Sequence, residues 1–102
     1  MDVHIQARHC NLTQQEHDAA VQAAEHLMKY HDNILRVDII ATEEAGRKEA
    51  EFSVRIQGQT IIGREHAADH GKAIHDARLK VERQLVKINE RKRTIRNTPV
   101  AP

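Results

Sequence analysis

Apolar and polar residues alternate from the start of the chain. Val3, Ile5 and Ala7 are interleaved with His4, Gln6 and Arg8, the period-two pattern of a strand with one buried face. Asn11-Leu12 leads to Thr13, with Glu16 three residues later. Thr-x-x-Glu is a capping box, in which each residue's side chain satisfies the other's free backbone N–H, and it predicts a helix start. Ala20, Val21, Ala24, Leu27 and Met28 then recur at helical spacing up to Tyr30, and His31-Asp32-Asn33 ends the helix. Leu35, Val37, Ile39 and Ala41 alternate with Arg36, Asp38, Ile40 and Thr42 as a second strand. Glu43 to Lys48, with Gly46, reads as a turn. Ala50, Phe52, Val54 and Ile56 alternate with polar residues as a third strand. Gln57-Gly58-Gln59 is a hairpin signal, and Thr60 to His66 forms the fourth strand. Asp69 caps a second helix over residues 70–93. Residues 97–102 contain two prolines and are expected to be a disordered tail.

The predicted order is β-α-β-β-β-α. A helix between the first two strands lets them pair in parallel through a crossover, and the later strands form a meander. Each strand has one apolar face, and both helices need apolar cover. The expected fold is therefore α+β, a two-layer βαβββα sandwich in which both helices lie on one face of a four-stranded sheet and the other face is polar. Residues 1–96 are expected to form one domain, since 102 residues supply one core but not two.

Composition narrows the function. Apolar residues at 39% and charged residues at 30% are ordinary for a soluble globular protein. Aromatic residues are only 2%, Tyr30 and Phe52, too few for a platform on which successive bases stack. No apolar run approaches the roughly 20 residues of a membrane span, and Met1 to Arg8 lacks the apolar core of a signal peptide. A lone cysteine, Cys10, leaves no intrachain disulfide, and the expected location is the reducing cytoplasm.

The net charge of +1 conceals a division. Residues 72–102 carry nine Lys/Arg against three Asp/Glu, a net charge of +6, while the first 71 residues carry seven against twelve, a net of −5. A surface kept charged only for solubility mixes both signs, so the split points to one end that binds a polyanion. On a helical wheel Ile74, Ala77, Val81, Leu85 and Ile88 form the core seam of the last helix, within roughly 40° of one direction. Lys80, Arg83, Lys87 and Arg91 fall in an arc of about 80° turned well away from that seam. Lys92 and Arg93 extend the charge, and Arg96 follows. A line of cations on a rigid rod suits a phosphate backbone, because each neutralised phosphate releases condensed counterions and Arg grips phosphate with paired hydrogen bonds.

The same helix carries a resemblance. Asp69 to Lys92, with Ala73-Ile74 and then Lys80-Val81-Glu82-Arg83-Gln84-Leu85-Val86-Lys87, resembles the second helix of the ribosome hibernation-promoting factors, also called ribosome-associated inhibitor or sigma-54 modulation proteins. Leu12-Thr13 opening a helix that ends near Tyr30, and the βαβββα order, are similar too, so the resemblance covers about residues 1–93, in the manner of the family's short form. It implies binding to the small ribosomal subunit, on 16S rRNA where messenger and transfer RNA sit, and translational silencing under stress or in stationary phase. It also implies that Lys80, Arg83 and Lys87 contact rRNA. His70-Gly71 stands where the family has Met-Tyr, His75 replaces an Asp, and Leu79 stands where an acid is common. A general double-stranded RNA-binding module and a protein-interaction module that modulates a transcription factor remain open as alternatives.

The remaining chemistry is sparse. His66, His70 and His75 are close in sequence but are expected to be exposed or partly exposed rather than zinc ligands, since zinc requires three or four converging donors. His17 and His31 fall near the seam of the first helix as core-edge residues. His9-Cys10 is the one nucleophile-like pair; on a strand the two would point apart, and Cys10 is expected to be a small buried residue at a strand end. No enzyme activity, metal, cofactor, small-molecule substrate or membrane partner is expected.

Overall fold

The computed structural model describes the backbone of residues 1–97 and the side chains of residues 1–90. The element order is β1 (Asp2–Arg8), α1 (Gln14–Leu27), β2 (Ile34–Glu44), β3 (Arg47–Ile56), β4 (Gln59–Ala67) and α2 (His70–Asn97). The four strands form one sheet in the order β1-β2-β3-β4. β1 and β2 are parallel, joined across α1, and the other pairs are antiparallel. This is the α+β sandwich that the alternation predicts.

The core lies between one sheet face and the two helices. Val37, Ile39, Phe52, Val54, Ile56 and Ile61 come from the sheet; Ala20, Ala24 and Leu27 from α1; Ala73, Ile74, Ala77, Val81 and Leu85 from α2. On the opposite face, cross-strand register lines up His4, Asp38, Ser53 and Ile62 in one row and Gln6, Ile40, Glu51 and Arg64 in the next. That face is polar apart from a half-buried Ile40 and an exposed Ile62. Arg64 meets Glu51 there at 2.5 Å, and Arg36 meets Asp38 at 2.8 Å.

The capping box forms as its sequence dictates. The Glu16 N–H donates to Thr13 Oγ1 at 3.0 Å, and the Thr13 N–H donates to Glu16 Oε1 at 2.9 Å. α1 stops at Leu27 rather than Tyr30, with Met28 as its C-cap. Met28 is therefore exposed rather than in the seam, Val21 is half-buried, and Ala23 joins the buried set.

Three strand details depart from simple alternation. The β2–β3 register shifts between Ile34 and Arg36, so Ile34 takes the inward place opposite Ile56 and Leu35 turns out to solvent. The turn expected over 43–48 contracts to Ala45-Gly46, with φ of 53° and 78°. Two consecutive positive φ values are what a two-residue hairpin turn requires. Glu43 and Glu44 then pair with Lys48 and Arg47 across the ladder, where opposite charges favour the pairing. On the margin strand β1, Val3 and Ile5 are only half-buried and Ala7 is exposed.

α2 runs to Asn97, past the expected end near residue 93. Arg and Lys are good helix formers, cations favour a helix C-terminus, and the sequence contains no breaker before Pro99. Residues 98–102 of the expected tail lie outside the described residues.

Candidate nucleic-acid interface

The cationic line depends on how firmly α2 is held against rotation, because a turn of the helix would carry its cations elsewhere. The first turn is fixed by Asp69, whose Oδ1 accepts from the Lys72 N–H at 2.8 Å and whose carbonyl accepts from the Ala73 N–H. His70 is buried, contrary to the exposed position expected of it, and its Nε2 donates to the Thr42 carbonyl oxygen at 2.9 Å. A donor inside the protein needs such an acceptor, and this one ties the helix start to β2.

Both flanks of α2 are anchored as well. Toward α1, buried Glu82 accepts from Arg78 one turn earlier and lies 3.4 Å from His26 Nε2. Asn89 Nδ2 donates to the Tyr30 carbonyl oxygen. Toward the sheet, Lys80 Nζ donates to the Arg64 carbonyl oxygen and Gln84 Nε2 to that of Ile62, each at 3.1 Å. These are carbonyls of β4, an edge strand, so the two side chains also occupy groups that could otherwise pair with a stray strand.

Lys80 thus has a structural duty. Its ammonium also pairs with Glu65 on the covered face of β4. Arg83 and Lys87 differ: both are exposed, and neither has an ion-pair or hydrogen-bond partner among the described residues. They lie four positions apart, one turn of helix. The backbone of Arg91, Lys92 and Arg93 continues the same helix, while their side chains lie outside the described residues. The structure therefore brings Lys80, Arg83 and Lys87 onto one rigid element, with Lys80 already engaged and the other two open.

Beside Arg83 and Lys87 runs a groove of roughly 420 Å³, lined also by Tyr30, Leu79, Glu82, Val86 and Glu90. Neither this groove nor the anchoring contacts of Arg78, Glu82, Gln84 and Glu65 is expected from the sequence pattern. The i, i+4 spacing of Arg78 and Glu82 was a visible signal; the match between Lys80 and Glu65 was not, since it depends on how α2 crosses the sheet.

The other candidates separate. His66 is exposed and bonded to Arg47 Nη2 at 2.8 Å, and exposed His75 lies 3.3 Å from Asp76. Among the described residues no three His, Cys, Asp or Glu side chains converge as metal ligands. His31 is buried at the core edge and its Nδ1 accepts from the Asn33 N–H, whereas His17 is solvent-facing. β1 ends at Arg8, so His9 (φ 58°) and Cys10 follow the strand instead of lying on it. Cys10 is partly buried, and its Sγ donates to the Ala41 carbonyl oxygen at 3.4 Å. Burial pushes its thiol pKa up, away from the thiolate a nucleophile requires. No helix among the described residues is long and apolar enough to cross a membrane.

The fold matches solved structures. It superposes on a ribosomal subunit interface protein from Coxiella burnetii with a TM-score of 0.81 at 19% identity, covering 88% of this chain and 99% of that one. It superposes on the N-terminal domain of Thermus thermophilus Protein Y with a TM-score of 0.77 at 22% identity, covering 86% and 99%. At such identities the likeness is one of fold. Among curated protein sequences none matches the chain. The sequence model of one family, described as sigma 54 modulation protein / S30EA ribosomal protein, matches residues 3–93. Its members are ribosome-associated binding factors, not enzymes. With the match running through all six elements, the chain belongs to the sigma 54 modulation protein / S30EA ribosomal protein family.

Proposed function

We propose that this protein binds the small ribosomal subunit through 16S rRNA, in the decoding region where messenger and transfer RNA sit, and holds ribosomes silent under stress or in stationary phase, in the cytoplasm. One observation carries the reading. Arg83 and Lys87 are exposed and unpartnered among the described residues, on a helix locked against rotation by contacts on both flanks. Cations held at fixed spacing, not ion-paired among the described residues, meet a phosphate backbone with little ordering cost on the protein side. Lys80 joins them when phosphate competes with Glu65 for its ammonium, and Arg91, Lys92 and Arg93 extend the line in sequence.

The test is co-sedimentation with purified small subunits over a range of salt. Affinity is expected to fall as salt rises, with log affinity against log salt losing roughly 0.7–0.9 per phosphate contact. Binding should survive an excess of plain double-stranded RNA. Loss to that competitor would instead mark a general double-stranded RNA binder, and a flat salt dependence would remove the electrostatic mechanism.

A further inference from the structure

We propose that the groove between Tyr30 and the outer face of α2 receives one unstacked RNA base, while Arg83 and Lys87 hold the phosphates beside it; this rests on the RNA-binding reading above and names what the site takes. Four observations support it. First, the groove, at roughly 420 Å³, lies within the range of about 300–1,000 Å³ typical of small-ligand sites. Second, its lining is mixed in the way a nucleotide demands: Leu79 and Val86 supply an apolar surface, Tyr30 a ring, and Arg83 and Lys87 two cations at the border. Third, Val86 is 37% exposed, whereas the other apolar residues of α2 among the described side chains are buried or half-buried. Fourth, Glu90 lines the same groove and is exposed, a carboxylate able to accept from the N–H edge of a base.

Charge complementarity selects the occupant. Two cations and two carboxylates line the groove, but Glu82 is taken by Arg78 and His26, and neither Arg83 nor Lys87 is ion-paired among the described residues, which leaves Glu90 as the one uncommitted acid of the lining. A polyanion bearing flat apolar groups fits that combination. One base is accommodated, because Phe52 is fully buried and Tyr30 supplies the ring in the lining of this groove. The protein thus lacks a stacking platform yet offers a single-base pocket, and single-stranded or bulged RNA supplies bases that can be splayed into it.

The test separates base from phosphate. Side-chain NMR signals of the wild-type protein are followed during titration with guanosine 5′-monophosphate, ribose 5-phosphate and inorganic phosphate. All three are expected to move Arg83 and Lys87, but only the nucleotide should move the Tyr30 ring and the methyl groups of Leu79 and Val86. Tyr30→Ala should abolish that nucleotide-specific response and weaken small-subunit binding roughly ten-fold or more, in keeping with loss of one stacked base, without changing the salt slope. Val86→Gln, at an exposed position, fills the groove without touching the core and should do the same. Equal responses to nucleotide and ribose 5-phosphate would overturn the base site. So would groove variants that lose subunit binding with no response to the nucleotide, which would assign the groove to a ribosomal protein. If wild-type protein fails to sediment with subunits, the proposed function falls, while the titration still decides the pocket.

Discussion

Gly63 of β4 lies directly beneath Val81 of α2: a β-carbon at position 63 would stand 2.8 Å from Val81 Cγ2 and 2.9 Å from the Ala77 carbonyl oxygen. Both distances are below van der Waals contact, and one obstacle is backbone, which does not rotate away. The absence of a side chain at Gly63 lets α2 settle onto the sheet, with Phe52 alongside it in the cross-strand register. Gly63→Ala is therefore expected to cost about 1–3 kcal/mol by overpacking, lowering the melting temperature by several degrees at roughly 4–8 °C per kcal/mol for a domain of this size. A thermal melt that leaves the midpoint unchanged would show that the helix can lift at no cost.

The pairing of Lys80 with Glu65 yields a second expectation. Glu65 points inward from an edge strand, a placement that discourages strand addition, and it competes with rRNA for the Lys80 ammonium. Glu65→Gln removes the competitor. Stability should change by less than about 1 kcal/mol, as for other half-exposed ion pairs, while small-subunit affinity rises and its salt slope steepens by up to roughly 0.9, one further phosphate contact. Unchanged affinity and slope would mean that Lys80 stays with β4 in the complex and serves the fold alone.

Acid should loosen α1 through its cap. The Thr13 N–H, and then the Thr13 hydroxyl, hold the Glu16 carboxyl below the ordinary glutamate range against the opposing effect of burial. A pKa lowered on folding means that the cap stabilises above the unfolded-state pKa and that this contribution is lost as pH falls through the folded-state value. Glu16→Gln keeps a capping-box residue but cannot titrate, so its melting temperature should fall less steeply between pH 5 and pH 3 than that of wild type. Parallel curves for the two proteins would place the acid sensitivity elsewhere, for instance at Asp38 or Asp76, whose pKa values are also lowered.

Much of this molecule is legible in its sequence because its strongest signals are local. Thr13-x-x-Glu16 fixes the start of α1 with four residues, Asp69 fixes the start of α2, and alternation assigns Val37, Ile39, Phe52 and Val54 to the buried face. The errors come where a second element decides. Leu35 faces solvent because β3 pairs out of simple register with β2. His70 is buried because β2 offers it the Thr42 carbonyl. The same holds for the site: a helical wheel finds Arg83 and Lys87, but it cannot find that Lys80 lies within reach of Glu65 or that Tyr30, more than fifty residues earlier in the chain, walls the groove beside them.

Opposite faces of α2 can be tested against each other with one pair of substitutions. Arg83 is exposed and without a partner among the described residues, whereas Val81 is fully buried against Gly63. Arg83→Glu should leave the melt within about 0.5 kcal/mol of wild type, as exposed substitutions do, yet place a negative charge against phosphate and weaken small-subunit binding by well over ten-fold. Val81→Ala should behave in reverse, costing roughly 1–3 kcal/mol through the cavity it leaves while the folded fraction binds with wild-type affinity and salt slope. The two variants also control for each other, because a loss of binding caused by unfolding would appear in the Val81→Ala melt first. If Arg83→Glu sediments with subunits as wild type does, the exposed cations of α2 merely solvate the helix, and the ribosome contact must lie on another face, the polar side of the sheet being the next to examine.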